Sequence, residues 1–221
     1  ILIMLPSLTL AELVIEITRG VDNPTQIGVT PLGGATLPED VSEIVEADLR
    51  RSGLFSPVPR KNMLALPTKP KDVYFRDWSI LGTEYLVVGE ASRDIGGYSI
   101  DFSLLEVHSQ RTVFNKTVKG SKQEVRAMAH HISDKVYEAV TGIRGAFSTR
   151  ILYVTATQNA QRQSTYRLMV ADADGARERM LLESRQPIMS PTWSPDAKEI
   201  MYVSFETGRP AIFRQSLATA Q

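Results

Sequence analysis

Residues 187–202 read Pro-Ile-Met-Ser-Pro-Thr-Trp-Ser-Pro-Asp-Ala-Lys-Glu-Ile-Met-Tyr, and their reading decides the architecture of the second half of the chain. Pro195 fixes φ near the value that a type I turn needs at its second position. Ser194 and Asp196, on either side, can bond back to nearby backbone groups. Trp193 ends the strand expected before this turn, and Ile200-Met201-Tyr202-Val203 is the strand expected after it. A second turn at Glu206-Thr207-Gly208-Arg209 leads into a further strand, Ala211-Ile212-Phe213. Short strands at even spacing, joined by tight turns with a recurrent aromatic, describe a propeller blade.

The stretch has an earlier echo. Ile151-Leu152-Tyr153-Val154-Thr155 matches Ile200-Met201-Tyr202-Val203-Ser204 at an offset of 202 − 153 = 49. Tyr166-Arg167-Leu168-Met169-Val170 matches Pro210-Ala211-Ile212-Phe213-Arg214 at 212 − 168 = 44. The difference falls in the loop from Gln158 to Ser164, and a period in the forties is the propeller range.

Trp193-Ser194-Pro195-Asp196, Tyr202 to Glu206 and Gly208-Arg209-Pro210 resemble the blades of the TolB family, the periplasmic component of the Tol-Pal system. The resemblance also covers Glu12 to Leu32, with Gly20-Val21-Asp22 and Ile27-Gly28-Val29-Thr30-Pro31-Leu32. It continues through Pro38-Glu39-Asp40, Ala47-Asp48-Leu49, Ser52-Gly53, Ser133-Asp134, Val140-Thr141-Gly142, Gly145-Ala146-Phe147 and Thr149-Arg150-Ile151. Two departures stand out. Ala197 and Ala220 occupy turn positions where the family has glycine, and a residue there needs φ > 0, so those turns are expected to be tighter or rearranged.

Composition sets outer limits. The 221 residues suffice for one large or two small domains, and 43% apolar content is ordinary for a packed core. Lys+Arg and Asp+Glu both number 25, so net charge leaves no electrostatic footprint for nucleic acid or an anionic membrane. The chain has no cysteine, which removes disulfides, thiolate nucleophiles and Cys-bound metal together. Ile1 to Leu5 is apolar, Pro6 interrupts it, and Thr9-Leu10-Ala11 ends on a small residue; residues 1–11 read as the tail of a signal peptide cleaved between Ala11 and Glu12.

Along the chain, Leu13 to Ile17 reads as a strand, and Gln26 to Leu32 as a second. Pro38-Glu39-Asp40 opens a helix with an apolar stripe at Val41, Ile44, Val45 and Leu49, closed by Gly53. Residues 61–71 read as a linker, and residues 72–81 as a short helix carrying Trp78. Tyr85 to Gly89 is an all-apolar central strand. Tyr98, Ile100, Phe102 and Leu104 alternate with polar residues, and Arg111 to Val118 completes a meander. Ser121-Lys122-Gln123-Glu124 is a capping box ahead of a helix with apolar positions Val125, Met128, Ala129, Ile132, Val136 and Val140, ended by Gly142. The fold expected is an α/β N-terminal domain over 12–142, a mixed sheet with helices. A hinge at 143–150 follows, and then an incomplete β-propeller of TolB/WD40-like blades from 151 to 221.

Chemical sites are sparse. Gly33-Gly34 lies where phosphate loops occur, but Glu39 and Asp40 hold the following helix start and would repel phosphate, so an ordinary loop is expected. His130 and His131 are helix neighbours that point roughly 100° apart and cannot easily share a metal, so a surface hydrogen bond to Asp134 is expected instead. His108 falls in a hairpin turn. No Gly-x-Ser-x-Gly elbow supports a propeller hydrolase. Trp78 and Trp193 read as core rather than as platforms for sugars.

The resemblance therefore implies a non-enzymatic interaction protein in the periplasm with no cofactor, metal, nucleic acid or small-molecule substrate. In the family a ring of blades binds the lipoprotein Pal, and the segment after the cleavage site binds the inner-membrane protein TolA. That segment is Glu12, Leu13, Val14, Ile15, Glu16 and Ile17, running on to Asp22. Trp193, Ser194, Pro195, Asp196 and Tyr202 have a structural role in the blade. A propeller-containing hydrolase or a periplasmic sugar-binding module are the alternatives.

Overall fold

The computed structural model describes residues 23–217. The segment 12–17, Asp22, the cleavage position at Ala11 and Ala220 lie outside the described residues.

Among the described residues the first unit is a mixed sheet. Strand β1 (Thr25–Val29) lies between two parallel neighbours, β3 (Phe55–Pro57) and β4 (Tyr85–Asp94). Antiparallel β5 (Gly97–Glu106) and β6 (Arg111–Ser121) follow, giving the order β3-β1-β4-β5-β6. Strand β4 is therefore central, and its all-apolar start is explained by burial on both faces. Val87 faces one core with Ile27, Val29, Ile100, Phe102 and Leu104. Leu86 and Val88 face a second core with Trp78, Leu105 and Val107.

Two helices cover the first face. Helix α1 (Val41–Arg51) packs Val41, Ile44, Val45 and Leu49 on it, and α3 (Val125–Thr141) packs Val125, Met128, Ala129, Ile132 and Val136. Their ends follow the capping signals. Asp40 caps α1 by accepting from the Glu43 amide at 3.1 Å, and Gly53, just past the helix, has φ +73°. Arg60 grips the same Asp40 at 2.8 Å and holds its carboxyl below the ordinary range, helped by the Glu43 amide against the effect of burial. That contribution is present above the ordinary carboxylate pKa and is lost as pH falls through the lowered one. The Glu124 carboxylate accepts from the Ser121 amide at 2.8 Å, with a 3-10 turn before α3 proper. Gly142 ends α3 with φ +72°.

Several expectations are corrected here. The strand expected to reach Leu32 stops at Val29, because Thr30 turns inward and its hydroxyl donates to the Pro67 carbonyl at 2.9 Å. Gly33-Gly34 is not an ordinary loop: it forms β2 (Gly33–Gly34), a two-residue strand parallel to Glu90-Ala91 of β4. Gly34 has φ +82°, and a Cβ there would stand 2.2 Å from the Ala91 carbonyl oxygen, so only glycine permits this approach. The stretch 61–71 is not a plain linker. With α2 (Phe75–Ile80), a shorter helix than 72–81, it lies over the second face of the sheet through Met63, Val73 and Trp78. Strand β3 has no counterpart among the strands that the sequence pattern suggests.

The second unit consists of two three-stranded antiparallel sheets. One holds β7 (Arg150–Gln158), β8 (Ser164–Asp172) and β9 (Arg179–Ser184). The other holds β10 (Ile188–Trp193), β11 (Glu199–Ser204) and β12 (Ala211–Ser216). The internal repeat pairs β7 with β11 and β8 with β12. One core joins the sheets, built on Leu168, Ile188, Ile200 and Tyr202, with Leu152, Trp193 and Phe213 against it. This is the start of a β-propeller, with no closed barrel among the described residues.

The turn at Ala197 is not rearranged. Its amide donates to the Ser194 carbonyl at 2.9 Å, and Ala197 itself takes the left-handed conformation at φ +55°. Gly208 closes the next turn in the same way, donating to the Phe205 carbonyl at 2.9 Å with φ +80°. Alanine pays about 1–2 kcal/mol for that conformation, and glycine's greater unfolded-chain entropy returns about 0.5–1 kcal/mol of the difference. Ala197→Gly is therefore expected to stabilise the chain by about 0.5–1 kcal/mol. A urea melt checks this, and a lower midpoint would refute it.

Candidate functional site

The residues richest in chemistry converge where the two units meet. Helix α1 brings Asp48, a carboxylate at the next position of its buried stripe. Helix α3 brings Arg126, His130 and Ser133 on one face, through spacings of four and three. The end of β8 brings Asp172, and the turn after it brings Asp174. That turn is braced internally: Gly175 donates to the Asp172 carbonyl, the Ala176 amide to Asp174 Oδ1 and Arg177 Nε to Asp172 Oδ2, at 2.9, 2.9 and 2.7 Å.

Asp48 is fully buried and accepts three hydrogen bonds: Arg51 Nη2 at 2.6 Å, Ser133 Oγ at 2.7 Å and His130 Nδ1 at 2.7 Å. A carboxylate that accepts from Arg51 and Ser133 has no proton to give, so His130 Nδ1 carries the hydrogen. His130 Nε2 then faces the propeller turn, 3.6 Å from Asp174 Oδ2 and 4.0 Å from Asp172 Oδ2, buried and without a hydrogen-bond partner. Arg126 lies alongside. Its Nη2 donates to Asp174, its Nη1 to Glu39 at 2.8 Å, and its Nε stands 3.8 Å from Asp172. Burial opposes the ionisation of Asp174, but the Ala176 amide and Arg126 outweigh it and hold its carboxyl below the usual range.

His130 is thus corrected from a surface residue to a buried one, 2% exposed. Its expected partner Asp134 serves the connector instead, accepting from the Phe147 and Ser148 amides at 2.7 and 3.3 Å. Phe147 in turn sets its ring edge-on to Tyr137, 5.6 Å between centroids. His131 and His108 are exposed. A serine, a histidine and an aspartate do meet here, but not as a nucleophilic triad: Ser133 donates to Asp48 and not to His130, and all three are buried.

The blade residues form a local frame. Ser194 Oγ lies 2.6 Å from Asp196 Oδ1 and accepts from the Glu199 amide at 3.0 Å, and Asp196 accepts from the Lys198 amide at 3.2 Å. Pro195 sits between them in the turn. The Arg150 guanidinium lies 5.0 Å over the Trp193 ring, and Tyr202 stacks on Phe213 at 5.7 Å. Trp78 is 1% exposed and belongs to the core.

Two sequence profiles divide the chain much as the two units do. That of the TolB amino-terminal domain matches residues 13–113, and that of the TolB beta propeller domain matches residues 137–221. The chain belongs to the TolB family. Among similar TolB proteins is the "Tol-Pal system protein TolB" of Marinomonas sp. (strain MWYL1), 50% identical over 96% of this chain and 50% of that relative. The protein of the same name from Pseudomonas fluorescens (strain Pf0-1) is 45% identical over 94% of this chain and 48% of its own length. The crystal structure of TolB from Acinetobacter baumannii superposes with a TM-score of 0.79 at 37% identity, over 93% of this chain and 50% of that one. The chain thus spans about half the length of the TolB relatives it matches.

Proposed function

We propose that this TolB chain acts as a periplasmic, non-enzymatic interaction component of the Tol-Pal system. In this reading the N-terminal segment engages TolA, the complete propeller engages Pal, and the two together couple inner and outer membranes for envelope integrity and invagination at division. The observation that carries the reading is the 50% identity to a Tol-Pal system protein over 96% of the chain, across both units. Two further points support it. The polar cluster at the junction is wired as a buried brace, with no nucleophile–base hydrogen bond. No helix among the described residues is long and apolar enough to cross a membrane.

The TolA-facing segment is Glu12 to Asp22. In an extended conformation Leu13, Ile15 and Ile17 would share one face, with Val14 and Glu16 on the other. Such a strand can add to the edge of a partner's sheet, with backbone bonds for affinity and pockets for alternate side chains. Deleting residues 12–22 is expected to abolish binding of the TolA C-terminal domain in a calorimetric titration, while the far-UV melt of the sheet and α3 is retained. Ile15→Asp is expected to weaken binding at least about tenfold by placing a charge in an apolar pocket. Undiminished binding by the deletion variant would refute the assignment.

A further inference from the structure

We propose that the junction between the two units binds a first-row divalent cation, with Zn²⁺ the best match, through His130 Nε2, Asp172 and Asp174. Three independent features point there. The first is the orphaned nitrogen. His130 is 2% exposed, and its Nε2 has no hydrogen-bond partner, yet it is aimed at two carboxylate oxygens 3.6 and 4.0 Å away. Ligands around a tetrahedral zinc ion, each about 2.0–2.2 Å from the metal, stand roughly 3.3 Å from one another. Asp48, His130 and Asp174 each present a ligand atom within 4.8 Å of the others, and Asp172 joins the ion by a larger movement of its carboxylate.

The second feature is the support behind the imidazole. Asp48 takes the Nδ1 hydrogen at 2.7 Å and is itself fixed by Ser133 and Arg51. Metal-bound histidines are oriented in this way: a carboxylate on the far nitrogen fixes the tautomer and leaves the near lone pair free for the ion. The third feature is charge. The facing groups are four carboxylates, Glu39, Asp48, Asp172 and Asp174, against three guanidiniums, Arg51, Arg126 and Arg177. The carboxylates outnumber the guanidiniums by one, the extra charge lying on exposed Glu39, so an added cation meets no local excess of positive charge. An imidazole with two carboxylates is a donor set for zinc, nickel or manganese; zinc exceeds manganese in intrinsic affinity and, unlike nickel, favours tetrahedral coordination.

Arg126 competes for the same carboxylate. Its Nη2 donates to Asp174, while Nη1 keeps Glu39 at 2.8 Å. Zinc entry turns Asp174 from the guanidinium to the metal and leaves Arg126 on Glu39. The ion then ties α3 directly to the turn between β8 and β9, a staple between the two units beside the ion pairs of Arg126.

The test uses the full 221-residue chain stripped with EDTA. Excess zinc is expected to raise Tm by about 3 °C or more. Cobalt is expected to give a visible ligand-field band that zinc abolishes, and zinc is expected to displace the 15N resonance of His130 Nε2. His130→Gln and Asp174→Asn should each weaken zinc binding at least about tenfold. Arg126→Gln should bind zinc about tenfold more tightly than the parent chain, the opposite of what a residue with a purely structural role would do. Three results would overturn the proposal: neither a cobalt band nor a zinc-dependent rise in Tm; a zinc response that persists in His130→Gln, which would place the ion on exposed His108 or His131; or weaker zinc binding in Arg126→Gln. Should His130→Gln fail to fold, the unmodified chain decides, since an unmoved Nε2 resonance at saturating zinc overturns the proposal.

Discussion

Asp48→Ala is expected to lower the unfolding free energy by about 3–5 kcal/mol. The carboxylate is fully buried and receives His130 Nδ1 and Ser133 Oγ, each at 2.7 Å. Removing it strands the His130 donor in a place that water does not reach, leaves Ser133 only the Ala129 carbonyl at 3.1 Å, and opens a void between α1 and α3. Asp48 also receives Arg51, but that side chain is 42% exposed and recovers solvent when its partner goes. Arg51→Ala should accordingly cost less than about 1 kcal/mol. Urea melts of both variants in EDTA, with similar m-values, check the contrast. A loss below about 1 kcal/mol for Asp48→Ala would mean that the network is not what holds α1 to α3.

The other large effect belongs to Trp78. Trp78→Ala is expected to cost about 3–5 kcal/mol, the usual loss for a large buried aromatic. The ring is 1% exposed and packs on Leu86, Val88, Leu105 and Val107. It also approaches the main chain of β1 closely: a Cβ on Gly28 would lie 2.6 Å from the indole Cζ3. Without the indole, α2 loses its anchor, and the second face of the sheet loses its cover. Hydrogen exchange is expected to rise most over residues 60–81, ahead of α1 and α3. Uniform protection across the sheet and the cover would contradict this account.

The contrast between these two residues shows what the sequence could reveal. Trp78 was legible because a large aromatic beside Val73 and Leu81 has few places to go except a core. Helices α1 and α3 were legible because their stripes and their caps agree, a local pattern confirmed by local chemistry. Strand β3 was not, because Phe55-Ser56-Pro57 is three residues long and carries a proline that suits only an edge. It is a strand because β1 offers it a parallel partner, which no local signal records. His130 was misread for the same reason. Asp48, which it bonds, and Asp174, which it faces, lie 82 and 44 positions away. The turn that carries Asp172 and Asp174 belongs to the other unit, so nothing around residue 130 announces it. One clue was available: Asp48 falls on the buried stripe of α1 between Val45 and Leu49, and a carboxylate there requires a partner from elsewhere.

The position of β1 has a consequence for the order of events during folding. Strands β4, β5 and β6 follow one another through a two-residue and a four-residue turn, Ile95-Gly96 and Val107 to Gln110. Such hairpins close in microseconds. Strand β1 comes first among the described strands yet pairs with residues 55–57 on one side and 85–87 on the other. Each pairing demands the closure of a long loop before any contact rewards it. The meander therefore serves as a template, and β1 is the strand that waits.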